Sequence, residues 1–365
     1  MQNETLNVTD ILNDPRKHFP NIFDINDGQE TEIELGDCSY YTETELREFY
    51  DTKGIKDSSN LKIISLNIAN ILSKLNNFKI FINNISTKEN KPGIIFITET
   101  HLNPSLNHGY GEGELKNILP GYKFYHEDRR NRKGGGTGVF IMDELVGKVE
   151  IIKNDFFIDE VFETISIKIP DMINASTSGH GRDLILISIY RQPGNENFRG
   201  FLNQLRTWLN KWDKRSNEII ITGDMNLDLL KYESHSHTSD YLDLMLSHKL
   251  LPRILRPTRI KHQSASLIDH IFTKGENVLS GILLTEIAGS YGYTDHLPSF
   301  CIIPIKTLSK PNKIVFSYSF FTTEGHKKRK DGLRSENWLD IYTKNDPNRI
   351  YNLLESHKIS HFKAL

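Results

Sequence analysis

Residues 61–305 predict an α/β sandwich, two packed β-sheets with helices on their outer faces. Three observations carry this. Short runs rich in isoleucine and other β-formers recur along the segment. Some of them alternate in polarity while others are continuously apolar, as expected of half-buried and fully buried strands. Helical periodicity interrupts them only twice and the connections are irregular, which fits two sheets better than a regular βαβ ladder.

Taken in order, the predicted strands are KIISLN (62–67), GIIFIT (93–98), TGVFIM (137–142), FETISIKI (162–169), LILISIY (184–190), EIIIT (218–222) and LIDHIF (267–272). FETISIKI alternates; IIFI, LILI and III are apolar throughout. Leu75, Phe78, Ile82 and Ile85 recur at helical spacing, as do Phe198, Phe201, Leu205, Trp208 and Trp212. Residues 1–60 are polar and acid-rich and predict a mostly disordered leader, with one short helix where Thr42 and Glu45 stand at capping-box spacing ahead of Leu46, Phe49 and Tyr50. Beyond residue 305 the strand pattern fades into a linker and tail, 306–365, with a basic cluster at His326–Lys330 and a helical piece around Asn348–Leu354.

Composition excludes several classes. An apolar content of 37% supports a substantial core, and no run approaches the length of a membrane span. The amino terminus lacks the apolar stretch of a secretory signal. Cys38 and Cys301 form no CxxC pair, which argues against a zinc site or disulfide framework and for a reducing, intracellular setting. The net charge of −2 is not that of a globally basic nucleic-acid binder, so any such contact rests on local patches.

The chemistry is expected where strands end. KIISL ends at Asn67, IIFIT at Glu99, LISI at Tyr190, and IIIT at a glycine turn that brings Asp224 and Asn226 out together. LIDHIF carries Asp269 inside an apolar run, and Asp295 and His296 precede a further strand. Gathered at one edge, this set suits phosphodiester hydrolysis. Glu99 is a hard oxygen ligand for Mg2+. His296 backed by Asp269 suits proton transfer or a hold on the scissile phosphate, and Asp224 suits activation of water. Asn226 and Tyr190 are neutral donors to non-bridging oxygens. Each residue alone has an ordinary explanation as well: an Asx turn for Asp224, a strand terminus for Asn67 and Glu99, a core edge for Tyr190 and a satisfied histidine for His296. Asp269 differs, since a carboxylate inside an apolar strand is costly without a partner.

The ordered set SLNIANI, ITETHL, GGGTGVFI, SIYRQP, GDMNLD, RPTR, SLIDHIF and TDHLP resembles the endonuclease/exonuclease/phosphatase superfamily, and within it the endonuclease domain of non-LTR (LINE-type) retrotransposon polyproteins. The resemblance implies a four-layered, deoxyribonuclease I-like α/β sandwich with mostly antiparallel sheets. It implies an Mg2+-dependent nick (Mn2+ being an alternative) in double-stranded DNA that leaves a 3′-hydroxyl for target-primed reverse transcription. It groups Glu99, Asn67 and Asp295 at the metal, and Tyr190, Asp224, Asn226, Asp269 and His296 in catalysis. Thr258 and Ser266 match hydroxyl positions near the phosphate. Arg256, Arg259 and Lys261, with Arg253, form a basic loop that would meet the DNA backbone; Arg129, Arg130, Arg132 and Lys133 are a second basic candidate. Thr294 stands where many relatives have serine, and Ala69 where some abasic-site enzymes carry an acid, which argues against abasic-site repair. The tail resembles the segment leading to a reverse transcriptase, the implied partner, and the implied place of action is the nucleus, with no membrane. The rival readings are a phosphoesterase acting on a small or lipid substrate and a decayed remnant that binds DNA without cutting it.

Overall fold

The computed structural model describes residues 38–305, apart from 103–114, 116–117, 130–133, 153–155, 159, 174–180, 195–196, 215–216, 262–263, 275–277 and 286–293. Backbone contacts divide the chain into two units, 1–309 and 310–365, and every described residue lies in the first. The basic run 130–133, the cluster His326–Lys330 and the helical piece around Asn348 therefore lie outside the described residues, as do 1–37.

The elements run β1 (Cys38–Thr42), α1 (Glu43–Thr52), β2 (Asn60–Asn67), α2 (Ile71–Ile85), β3 (Ile94–Thr98), β4 (Tyr122–Glu127), β5 (Thr137–Met142), α3 (Asp143–Val146), β6 (Glu150–Ile152), β7 (Phe162–Ile173), β8 (Arg182–Arg191), α4 (Phe198–Trp212), β9 (Asn217–Asp224), a 3-10 turn (Leu229–Lys231), α5 (Ser236–Ser247), β10 (Leu251–Pro252), β11 (Arg259–Lys261), β12 (Ser264–Ser266), β13 (Asp269–Thr273), β14 (Leu279–Leu284) and β15 (Ser299–Pro304). One sheet has the order β1-β14-β15-β2-β3-β5-β4, the other β10-β13-β9-β8-β7-β6, and β11 and β12 form a separate hairpin. Both large sheets are mixed with antiparallel pairs in the majority; β1/β14, β2/β3 and β8/β9 are the parallel ones.

The continuous isoleucine runs take the central positions because only there are both faces of a strand covered. Every residue of β3 and β9 is buried, and β2 and β3 of one sheet face β8 and β9 of the other. Helices close the outer faces. Phe78 of α2 meets Phe140 of β5 with ring centroids 5.4 Å apart, Phe201 of α4 meets Phe162 of β7 at 5.2 Å, and Tyr241 of α5 meets Phe272 of β13 at 5.7 Å. The result is the expected four-layered sandwich.

The fold begins earlier than residue 61. The capping box forms as its spacing predicts, with Thr42 Oγ1 accepting from the Glu45 amide and Glu45 Oε2 from the Thr42 amide. The preceding residues add an edge strand, β1, in register with β14 from Cys38↔Ser280 to Thr42↔Leu284. Tyr40 is fully buried, and its hydroxyl donates to the Pro257 carbonyl at 2.8 Å. CSYYT has too short an apolar pattern to stand alone, so its pairing depends on β14, which lies more than two hundred residues away along the chain.

Strand directions explain the convergence of the polar ends. β2 and β3 run together and end at Asn67 and Thr98, and β8 and β9 run together and end beside each other with Tyr190 opposite Asp224. β13 runs against β9 and so begins where β9 ends, with Asp269 opposite Asp224. β15 runs against β2, which puts the residues just before it, His296 included, near Asn67. One edge of the sandwich collects them all.

Candidate active site

Gly223 makes the end of β9 possible. Its φ is +120°, and a Cβ there would overlap the Ile189 carbonyl oxygen of β8. The chain then leaves the sheet through Met225, whose amide donates to the Ile268 carbonyl, and through Asn226, at φ +46°. Asp224 Oδ1 accepts from the Asn226 amide at 3.0 Å, so the Asx turn and the candidate base are one structure. The expectation that Asp224 is exposed is corrected: it is 1% exposed, because β13 and β8 flank it.

Asn67 ties the site together. Its Nδ2 donates to Glu99 Oε1 and to Asp224 Oδ2, each at 2.8 Å, and its Oδ1 accepts from the Ala69 amide at 3.0 Å. Two carboxylates from different sheets thus face one amide. The second oxygen of Glu99 lies 3.3 Å from His101 Nε2. Burial pushes the Glu99 carboxyl up, yet the hydrogen bonds from His101 and Asn67 outweigh it and hold the group below its ordinary value.

Behind these lies a dyad. His296 Nδ1 is 2.8 Å from Asp269 Oδ2 and 3.0 Å from Oδ1, and both residues are buried. Burial would lower the pKa of the imidazole, but the Asp269 carboxylate, with smaller help from Asp224 and Asp295, raises it to about 9. Burial, and next the charge of Asp269, push the Asp224 carboxyl well above the usual range. Among the described residues, Asp224, Asp269 and His296 form a group whose ligand atoms lie within 4.8 Å of one another. Thr294 Oγ1 donates to the Asn67 carbonyl at 3.0 Å and accepts from the His296 amide at 3.2 Å, so a hydroxyl at this position locks the histidine to β2.

Tyr190 lies opposite Asp224 and is 6% exposed; burial first, then the charges of Glu99 and Asp224, raise its pKa, so the phenol stays protonated as a donor. Three residues or runs outside the expected catalytic and metal set support this corner. The Arg129 guanidinium lies 5.7 Å from the Tyr190 ring centroid and is bonded through Nε to Glu163 Oε1 at 2.6 Å. Arg129 is thus buried rather than part of an exposed basic run. The glycine run lets a loop lie against it, since a Cβ at Gly135 would strike Arg129 and one at Gly136 would strike Thr100. His101, in ITETHL, is the third, and its place directly after Glu99-Thr100 was the one available sign.

The remaining expected residues divide. Asp295, expected at the metal, turns its Oδ2 to Arg259 Nε at 2.6 Å and Lys261 Nζ at 2.8 Å; burial opposes its ionisation, but these two cations bring the pKa down to about 2. Arg259 and Lys261 stand at the rim, the one partly and the other largely exposed. Thr258, expected near the phosphate, lies fully buried behind the dyad and donates from Oγ1 to Asp269 Oδ2 at 2.7 Å. Ser266 sits across the β11–β12 hairpin from Arg259. Arg256 turns to β1, where its Nε donates to the Cys38 carbonyl at 2.7 Å, and Arg253 is 1% exposed with Nε on Thr273 Oγ1. Of the four cations in RILRPTRIK, Arg259 and Lys261 are the two that stand beside Asp295 at the site.

Comparison with known proteins bears on this arrangement. Residues 184–300 match a family described as endonuclease-reverse transcriptase. The matched stretch contains Tyr190, Asp224, Asn226, Asp269 and His296. Similar solved structures include a 3′ phosphatase, NExo, from Neisseria bound to a product DNA hairpin (14% identity, 66% of this chain and 98% of that one, TM-score 0.47). Others are the endonuclease domain of TRAS1, a telomere-specific non-LTR retrotransposon (12%, 68% and 99%, TM-score 0.45), and D. rerio TDP2 complexed with a single-strand DNA product (16%, 67% and 98%, TM-score 0.42). No curated protein matches the chain in sequence. Among the described residues no helix is long and apolar enough to cross a membrane.

Proposed function

We propose that this site hydrolyses one strand of double-stranded DNA with the help of a divalent cation, leaving a 3′-hydroxyl that primes reverse transcription by a polymerase domain of the same polyprotein. The observation that carries the reading is the continuous contact Glu99–Asn67–Asp224 set beside the Asp269–His296 dyad. The family description supports the link to a reverse transcriptase, and chromosomal DNA as substrate would make the nucleus the place of action.

The donor set fits a hard cation. Glu99, whose side chain is 23% exposed, presents a carboxylate edge to solvent beside the Asn67 amide, as Mg2+ or Mn2+ prefers when it keeps several waters. Glu99 would hold the ion, its carboxylate oriented by Asn67, whose Nδ2 rather than Oδ1 faces it, and the ion when bound offsets negative charge on the phosphate oxygens. Asp224, with its raised pKa, accepts a proton from the attacking water as the new P–O bond forms and the P–O3′ bond breaks. The departing 3′ oxygen takes a proton from solvent. With Nδ1 held by Asp269, His296 has Nε2 left for a non-bridging oxygen, and as an imidazolium it donates there. Tyr190 and Asn226 add neutral donors, while Arg259 and Lys261 at the rim suit a neighbouring backbone phosphate.

The test is incubation of supercoiled plasmid with the protein and Mg2+, with EDTA, and with the His296→Ala and Asp224→Ala variants. Open circles that a polymerase extends without prior phosphatase treatment should form only with the unsubstituted protein and Mg2+. Equal nicking in every arm would sink the assignment. Absence of nicking alongside release of phosphate from small esters would favour the phosphoesterase reading, and binding without cutting the decayed remnant.

A further inference from the structure

SIYRQP contains one charged residue, Arg191, that the catalytic set leaves unused. β8 ends at Arg191, one residue past Tyr190, and the pleat of a strand sends successive side chains to opposite faces. Tyr190 therefore lies beside Asp224 while Arg191 passes beneath the loop that follows it. Arg191 is 2% exposed. Its Nε donates to the Met225 carbonyl at 2.8 Å, its Nη2 to the Asn226 carbonyl at 3.1 Å and its Nη1 to the Gly194 carbonyl at 2.8 Å. Asn226 answers, donating from Nδ2 to the Arg191 carbonyl at 2.8 Å. The rings of Phe198 and Phe201 close the other side, with centroids 5.9 and 6.0 Å from the guanidinium.

A buried guanidinium is costly, and here its donors are directed at main-chain carbonyls. Two of those carbonyls belong to the two residues after Asp224, so the planar fork sets the path of the backbone itself. Asn226 holds a left-handed φ of +46°, a conformation asparagine tolerates better than most residues, and the Arg191 bonds hold it there. The Asn226 amide that bonds Asp224 Oδ1 is part of the same turn.

We infer that Arg191 is a positioning residue that clamps the Asp224–Asn226 loop in the geometry used for phosphodiester hydrolysis. This rests on the proposed function of the site. The clamp acts through backbone, so a lysine, which keeps the charge but lacks the three-carbonyl fork, does not replace it.

The test uses the full chain, supercoiled plasmid and Mg2+, with Arg191→Lys, Arg191→Met, Asn226→Ala and the Arg191→Met/Asn226→Ala double variant. Arg191→Lys should keep its circular dichroism spectrum and lose roughly 10- to 100-fold in kcat, with KM for plasmid within about twofold. The double variant should be little slower than Asn226→Ala alone, since both changes release one loop. Wild-type kcat in Arg191→Lys would overturn the clamp, as would a loss fully accounted for by the unfolded fraction. A second readout does not depend on the variants folding: in the unsubstituted protein the Arg191 Nε proton should exchange slowly by NMR, and rapid exchange would also overturn the clamp. A protein that nicks no DNA but retains the slow Nε proton overturns the proposed function and leaves the clamp standing.

Discussion

Replacing Asp269 with asparagine tests the electrical core of the site. In the native protein His296 is buried, and both oxygens of Asp269 lie within 3.0 Å of its Nδ1. The histidine pKa rises from the ordinary 6.5 to about 9, which corresponds to roughly 3 kcal/mol favouring the charged form. Because the folded pKa lies above the unfolded one, this stabilisation is fully present below about pH 6.5 and is lost as pH rises through about 9. With the neutral amide of Asp269→Asn in place, burial dominates, and only the weaker pulls of Asp224 and Asp295 act against it. Urea denaturation at pH 6 should then show Asp269→Asn less stable by about 2–3 kcal/mol, and the difference should shrink or reverse near pH ~9.5. An NMR titration of the His296 ring should find its midpoint at about 9 in the native protein and well below that in the variant. A native midpoint at the ordinary histidine value, or a stability difference that does not change with pH, would contradict this account of the dyad.

Three further outcomes are expected. On the proposed function Mg2+ should raise the melting temperature of the native protein, and Glu99→Gln should abolish that rise and lower Mg2+-dependent nicking by roughly 100-fold; an unchanged thermal shift would remove Glu99 from the metal site. Gly223→Ala forces a Cβ onto the Ile189 carbonyl at a φ of +120°. It should cost roughly 3 kcal/mol or more in denaturant melts, and a loss under about 1 kcal/mol would be incompatible with the β8–β9 junction. Tyr40→Phe deletes one buried hydrogen bond and should cost about 1 kcal/mol, whereas a chain starting at residue 61 loses β1 and α1 together and should fail to melt cooperatively; cooperative melting at the native temperature would show the edge strand to be dispensable.

Local signals were enough to mark several elements. Isoleucine runs marked the central strands because continuous apolarity is needed wherever both faces are covered, and the helical stripes around Phe78 and Phe201 were legible from spacing alone. Polar residues at strand ends named Asn67, Glu99, Tyr190 and Asp224, a carboxylate inside an apolar run named Asp269, and His296 stood just before a further strand, all visible without knowing their neighbours. Other features needed the chain to fold. β1 has too little apolar patterning to announce itself and exists through pairing with β14; β14 itself, LSGILL, and helix α5 carry weak periodicity. That Asp224 is buried follows from two flanking strands brought together by sheet order. The arginines show the limit most plainly. Arg253, Arg256, Arg259 and Arg191 are alike in sequence, yet one is buried on Thr273, one meets β1, one pairs with Asp295 and one grips the loop after Asp224. A long cation's role is set by which carbonyls and carboxylates lie within its reach, and that is decided only once the strands have chosen their neighbours.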